Sequence, residues 1–139
     1  MGPERKLYQK VKKSFSNFSL IRLENHSLHG TPDLLVSNAR GHFFTIELKV
    51  TKGNKIKFSP HQIAFHVKHP DNTFILIQAL GPRSANHFHM YRGSRILELV
   101  TLGLKLEACS LELEACKLFL DKLGAWGSAV PAGVLQLDA

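Results

Sequence analysis

Residues 30–49 read GTPDLLVSNARGHFFTIELK, and the reading of this stretch decides the fold. At its end Phe44, Ile46, Leu48 and Val50 alternate with Thr45, Glu47 and Lys49. Alternation at period two sends neighbours to opposite faces of a strand, so one face is core. The other face carries a carboxylate and an ammonium two positions apart, on a strand too apolar to lie on an open surface. Upstream, Thr31-Pro32-Asp33 opens a partner strand that runs to Val36, and Ser37-Asn38-Ala39-Arg40-Gly41 supplies the turn formers of a short hairpin link. In an antiparallel pair joined this way the start of the first strand lies beside the end of the second. Asp33 is therefore expected near Glu47 and Lys49.

Two carboxylates and a lysine at one sheet edge make a poor structural device, because like charges at close range repel unless a cation lies between them. They make a good site for a hard divalent metal, which prefers carboxylate oxygens and keeps waters that can be activated. The plainer alternative is a surface Asp beside an ordinary Glu–Lys strand pair.

Pro32-Asp33 followed by Glu47-Leu48-Lys49 resembles the motif of the PD-(D/E)XK nuclease superfamily. The setting, Gly30-Thr31-Pro32-Asp33-Leu34-Leu35 before a hairpin and a Gln-bearing helix after it, is most similar to archaeal-type and phage Holliday junction resolvases and the related VRR-NUC domains, over residues 4–91. Arg22-Leu23-Glu24-Asn25 is similar to an Arg-x-Glu-Asn segment of the phage relatives. The resemblance implies an α/β, restriction-endonuclease-like fold with an αβββαβ core, a mixed central sheet flanked by helices. It implies Mg²⁺- or Mn²⁺-dependent hydrolysis of DNA phosphodiester bonds, with a four-way junction as substrate and a homodimer as the acting form. Asp33, Glu47 and the Leu48 carbonyl would bind metal, while Lys49 would orient a water or stabilise transition-state charge. Gln62 would lie near the metal or the scissile phosphate. Glu4 would supply a third carboxylate, with Glu24 as competitor; Glu24 also reads as a loop partner for Arg22. A nicking or flap-cutting nuclease is the neighbouring enzyme reading, and a catalytically silent nucleic-acid binder is the alternative outside enzymes.

Composition bounds these readings. The chain has 139 residues, 44% of them hydrophobic and 21% charged, which is one domain's worth of globular protein. No apolar run approaches the ~20 residues of a membrane span, and the first residues lack the apolar centre of a signal peptide. The expected location is the cytosol, that of the host cell for a phage-encoded protein. With 18 Lys+Arg against 11 Asp+Glu, the formal charge of +7 favours a polyanion such as nucleic acid. A membrane surface fits less well, because the basic residues are spread along the chain. Cys109 and Cys116 fall in a helical pattern with no zinc spacing and read as reduced core residues. His87 and His89 share a strand face, and His61 and His66 share a helix, without any recognised ligand spacing. The eight histidines therefore read as surface or DNA-facing imidazoles with no catalytic role.

The remaining elements follow from periodicity and punctuation. Residues 3–15 read as a helix with Leu7, Val11 and Phe15 as its apolar stripe. Its basic faces are either solvated or, through Lys10 and Lys13, set against phosphates. Residues 16–23 turn into a strand, and Gly30 allows a positive φ or a close approach of backbone to ligand. Residues 51–58 form a cationic loop whose Lys52, Lys55 and Lys57 are candidate DNA-backbone contacts. Ser59-Pro60-His61-Gln62 is a helix start. Gln62 can bond back to the Ser59 amide or reach the site, and Ile63 and Val67 face the core. Residues 73–80, TFILIQAL, read as a strand buried on both faces. Arg83 lies in the next loop, available to phosphate, and residues 87–91 form a short edge strand. Residues 94–102 and 106–123 read as helices broken near Gly103. In the second, Cys109, Leu113, Cys116, Leu120 and Leu123 make a stripe widened by Leu111, Leu118 and Phe119. That face covers either its own sheet or a second subunit. The division is thus a nuclease core at residues 1–93, helices at 94–123 and a tail at 124–139.

Overall fold

β3 (Phe43–Thr51) lies at the middle of a five-stranded sheet ordered β1-β2-β3-β4-β5. The computed structural model describes residues 2–23, 30–81 and 86–124. Before β3 come α1 (Pro3–Ser14), β1 (Ser19–Arg22) and β2 (Leu34–Ser37); after it come α2 (Pro60–Lys68), β4 (Thr73–Leu80), β5 (Asn86–Arg92), α3 (Ile96–Leu102) and α4 (Leu113–Asp121). Strands β1, β2 and β3 pair antiparallel, β3 and β4 parallel, and β4 and β5 antiparallel. The architecture is the α/β one expected, restriction-endonuclease-like in its αβββαβ order, with helices at the carboxyl-terminal side.

The hairpin forms where its turn residues put it. Leu34 pairs with Ile46 and Ser37 with Phe43, and Gly41 takes a φ of +76°. Asn38 Oδ1 accepts from the amides of Arg40 and His42, both at 3.0 Å, which closes the turn. Its Nδ2 donates to the carbonyls of Leu120 and Leu123 at 2.9 and 2.8 Å, so one buried amide ties the end of α4 to the hairpin.

Each face of β3 meets a different layer. Phe44, Ile46 and Leu48 pack with Leu7 and Val11 of α1, with Phe15 at its carboxyl-terminal cap, and with Cys116 and Leu120 of α4. A second core on the other side of the sheet joins Ile75, Ile77, Tyr91, Ile96 and Leu99. β4 contributes to both, as a strand covered on two faces does.

Four expectations are corrected. Residues 106–112 are not helical: Cys109 donates to the Met90 carbonyl at 2.7 Å, and the Met90 and Phe88 amides donate to Ser110 and Leu111 at 3.1 and 3.3 Å. The free edge of β5 offers backbone partners that override local helix preference. The apolar stripe is accordingly shorter: Cys116 and Leu120 are buried, but Leu111 and Leu118 are 57% and 56% exposed. Cys109 is exposed too, whereas burial pushes the Cys116 thiol up to about 12. Finally, α2 is rotated from its expected phase, with Val67 52% exposed and His66 buried in its place. The stretch expected as a tail lies, from residue 125 on, outside the described residues.

Candidate active site

The site is built where β2 stops short of β3. The last strand pair at that end is Leu34 with Ile46, so the edge of β3 beyond Ile46 faces no strand. Asp33, just before β2, fills the gap with its side chain, and its Oδ2 accepts from the Leu48 amide at 2.7 Å. The amide and carbonyl of one strand residue point to the same edge, which places the Leu48 carbonyl beside Asp33 as well.

Glu47 follows on the polar face and is 2% exposed. Its Oε2 accepts from Gln62 Nε2 at 3.2 Å. Its Oε1 is buried without a donor. Burial pushes this carboxyl up to about 9, helped by the Asp33 carboxylate and by a proton the two groups can share, and opposed by the Lys49 ammonium. A buried oxygen with no donor, facing a second carboxylate, is a site that favours a cation.

Lys49 is held from two sides. Its Nζ donates to Gln62 Oε1 at 2.9 Å and lies 5.0 Å above the centre of the Phe58 ring. The same Gln62 Oε1 accepts from the Ser59 amide at 3.0 Å, while the Gln62 amide donates to Ser59 Oγ at 3.1 Å. Gln62 therefore closes the capping box and touches Glu47 and Lys49 at the same time. The capping box fixes which end of the side-chain amide is oxygen, and the remaining NH₂ is turned toward Glu47. Gly30 secures this helix start. With φ at +84° it lies against the His61 backbone, and a Cβ there would collide with the His61 carbonyl. The close approach is to the start of α2.

Two clefts open from this centre, and Glu4 lines both. One, of about 130 Å³, is bounded by Arg5, Tyr8, Arg22, Asp33 and Leu48. The other, of about 330 Å³, is bounded by Lys49, Thr51, Lys52, Lys55 and Lys57. Desolvation raises the Glu4 carboxyl, the Asp33 charge adds to this, and Lys49 lowers it, so Glu4 feels both site residues. The lysine loop is pinned from behind: Leu104 donates to the Asn54 carbonyl at 2.8 Å and Asn54 Nδ2 to the Leu102 carbonyl at 3.1 Å. Gly103, at φ +59°, makes that approach possible.

The structure thus brings Asp33, Glu47, Leu48, Lys49 and Gln62 together, with Glu4 on the adjoining clefts and Lys52, Lys55 and Lys57 along one of them. Lys10 and Lys13, further along α1, line neither cleft. Glu24 and Arg83 lie outside the described residues. The sequence reading passed over Tyr8, one turn after Glu4 on α1, although the i, i+4 spacing marks it. It also passed over Phe58, adjacent to the cap. His66, expected as a surface or DNA-facing imidazole, is instead buried beneath the site. Its Nδ1 lies 3.3 Å from Thr73 Oγ1, which accepts from Thr45 Oγ1 at 2.8 Å. Its Nε2 has no partner, and burial together with the Lys49 charge pushes the imidazole down to about 4.

Among the described residues no three His, Cys, Asp or Glu side chains converge on one point. A cation here would draw on two carboxylates, a backbone carbonyl and solvent, with Glu4 nearby. That donor set fits Mg²⁺, which is held by one or two carboxylates and keeps most of its waters.

No protein-family model matches the chain, and no curated protein matches it. Among solved structures it is similar to Archaeoglobus fulgidus Hjc, a Holliday junction resolvase from an archaeal hyperthermophile. The two share 19% identity at a TM-score of 0.43, over 66% of this chain and 74% of that one. No helix among the described residues is long and apolar enough to cross a membrane.

Proposed function

We propose that this chain is a metal-dependent endonuclease that hydrolyses DNA phosphodiester bonds at four-way junctions. The observation that carries the chemistry is the Asp33–Glu47 pair, with Glu47 Oε1 buried and unpartnered and the Lys49 ammonium beside it. A resident Mg²⁺ or Mn²⁺ would be held by Asp33, Glu47 and the Leu48 carbonyl, and would supply Lewis acidity at the phosphate and acidify water. The protein's own groups do the rest. Gln62 holds Glu47 and Lys49 at fixed separation, so the ammonium meets developing charge without reorganising. Lys52, Lys55 and Lys57 neutralise backbone phosphates next to the reacting one. Glu4, between the clefts, is the third carboxylate available to the site. The branched substrate and the two-fold homodimer that would cut it symmetrically come from the motif resemblance.

The test compares a four-way junction, a flap, a nicked duplex and a single strand, each with Mg²⁺, Mn²⁺ or Ca²⁺. Paired symmetric nicks in the junction, dependent on Mg²⁺ or Mn²⁺ and lost in Asp33→Ala and Glu47→Ala, support the proposal. Preferred cutting of the flap or nicked duplex moves the substrate to a replication or repair intermediate. Binding without cleavage under every metal condition contradicts the enzyme.

A further inference from the structure

The start of α2 converges on a single ammonium. Phe58 immediately precedes the Ser59 cap, and Ile63 lies one turn in; both pack against the second core. That is the arrangement of a hydrophobic staple, which fixes the angle at which a chain enters a helix. The Phe58 ring is therefore held by the core and the helix start, independently of Lys49. Lys49 Nζ lies 5.0 Å over its face and donates at 2.9 Å to Gln62. A flexible four-carbon stem is thus confined by a ring on one side and an amide oxygen on another.

The confinement matters because Lys49 has a second place to go. Its side chain also lines the cleft formed by Lys52, Lys55 and Lys57. A DNA phosphate arriving there would draw the ammonium outward, away from Asp33 and Glu47. The electron-rich face of an aromatic ring attracts a cation where an aliphatic side chain of similar bulk does not. We infer that Phe58 is a positioning residue for the reaction: its ring face keeps the Lys49 ammonium beside the carboxylate pair and stops it being drawn further along the lysine cleft when DNA binds. This rests on the endonuclease reading for its consequence, but the contact itself does not.

The test uses the full chain with Phe58→Leu, Phe58→Tyr and Phe58→Trp. Leu keeps an apolar side chain against the core and removes the ring; Tyr and Trp keep a ring. In the wild type, the Lys49 Cε protons, assigned by their loss in Lys49→Arg, resonate upfield of ordinary lysine positions because of the ring current. They return to the ordinary position in Phe58→Leu. Junction cleavage by Phe58→Leu falls roughly 3- to 30-fold in kcat with little change in KM, and Phe58→Tyr and Phe58→Trp restore it. Unshifted Lys49 Cε protons in the wild type overturn the contact. Wild-type kcat in a folded Phe58→Leu overturns the positioning role, as does an equal loss in the Leu and Tyr variants, which marks packing alone. If the wild type cuts no DNA at all, the endonuclease reading fails, and the resonance still decides whether ring and ammonium meet.

Discussion

The two faces of β3 are made from alternate residues of one nine-residue strand, yet they obey different rules. Toward α1 and α4, Phe44, Ile46 and Leu48 lie in a dry core, where the Phe44 ring meets Phe18 and Phe74 edge to face at 6.4 and 5.6 Å. Toward α2, Glu47 is buried and Thr45 and Lys49 are half-buried, and all three are hydrogen-bonded: Thr45 to Thr73, Glu47 and Lys49 to Gln62. The first face is satisfied by contact and contributes stability. The second leaves Glu47 Oε1 and His66 Nε2 buried without partners, and each such atom costs about 1–3 kcal/mol. Stability and chemistry are thus divided by the pleat, and substitutions on the two faces should separate them.

The largest effects fall on the polar face and on activity. Asp33→Ala, Glu47→Ala and Lys49→Ala each reduce junction cleavage roughly 10³-fold or more, while gel-shift affinity in Ca²⁺ stays within a few-fold. Glu47→Gln adds a contrast: it abolishes cleavage while the metal-free melting temperature at pH 8 holds or rises, because a neutral amide is buried beside Asp33 without the proton uptake that Glu47 needs on folding at that pH. Phe44→Ala does the reverse, losing about 3–5 kcal/mol of folding stability by leaving a cavity. The fraction that stays folded should still cut. A Phe44 variant with intact stability and no cleavage would break the division between faces.

The pH dependence follows from the same polar face. Folding raises the Glu47 carboxyl from 4.5 to about 9, so between these values the folded chain keeps a proton that the unfolded chain has lost. Its stabilising contribution is complete below pH 4.5 and is lost as pH rises toward 9. His66 is lowered from 6.5 to about 4, so the unfolded chain is the one that gains the proton, and stability falls as pH drops from 6.5 toward 4. The two slopes oppose each other between pH 4.5 and 6.5, giving a flat region in a metal-free melting series. Above it, stability declines by up to about 1.4 kcal/mol per pH unit. Saturating Mg²⁺ flattens that decline by favouring ionised Glu47, and Glu47→Gln removes it.

Smaller effects sharpen the roles of the flanking elements. Each alanine at Lys52, Lys55 or Lys57 weakens junction binding and lowers the salt slope by about one contact, read from affinity at several ionic strengths. Ser59→Ala costs about 1 kcal/mol through the lost bond from the Gln62 backbone amide to the cap hydroxyl and leaves kcat near wild type, because the Ser59 backbone amide that orients Gln62 Oε1 is retained. A Ser59→Ala variant that loses kcat as well as stability would tie the cap hydroxyl itself to the site.

Most of the site was legible in the sequence, and the reasons are local. Period-two alternation placed Glu47 and Lys49 on one face, the turn residues brought Asp33 back beside them, and Ser59 and Gln62 announced the cap. The missed features were settled by partners distant in sequence. Ile63 and Val67 look like the core face of α2; Ile63 does pack against the second core, but Val67 is exposed and the helix turns His66 inward in its place. Residues 106–112 have helical periodicity, but β5 offers them a ladder. Phe58 stands beside the cap with nothing in the sequence to mark it until the fold sets Lys49 above its ring. Glu4 was placed at the site by resemblance, and no periodicity along α1 would have done so.

The central claim is that Asp33 and Glu47 meet around a divalent cation. An anomalous-difference map from crystals of the full chain soaked in Mn²⁺ tests it most directly. The predicted result is a peak about 2.0–2.3 Å from carboxylate oxygens of both residues, near the Leu48 carbonyl, and absent from Glu47→Gln crystals. A peak elsewhere, or carboxylates that stay paired through a shared proton at millimolar Mn²⁺ and neutral pH, would contradict the account.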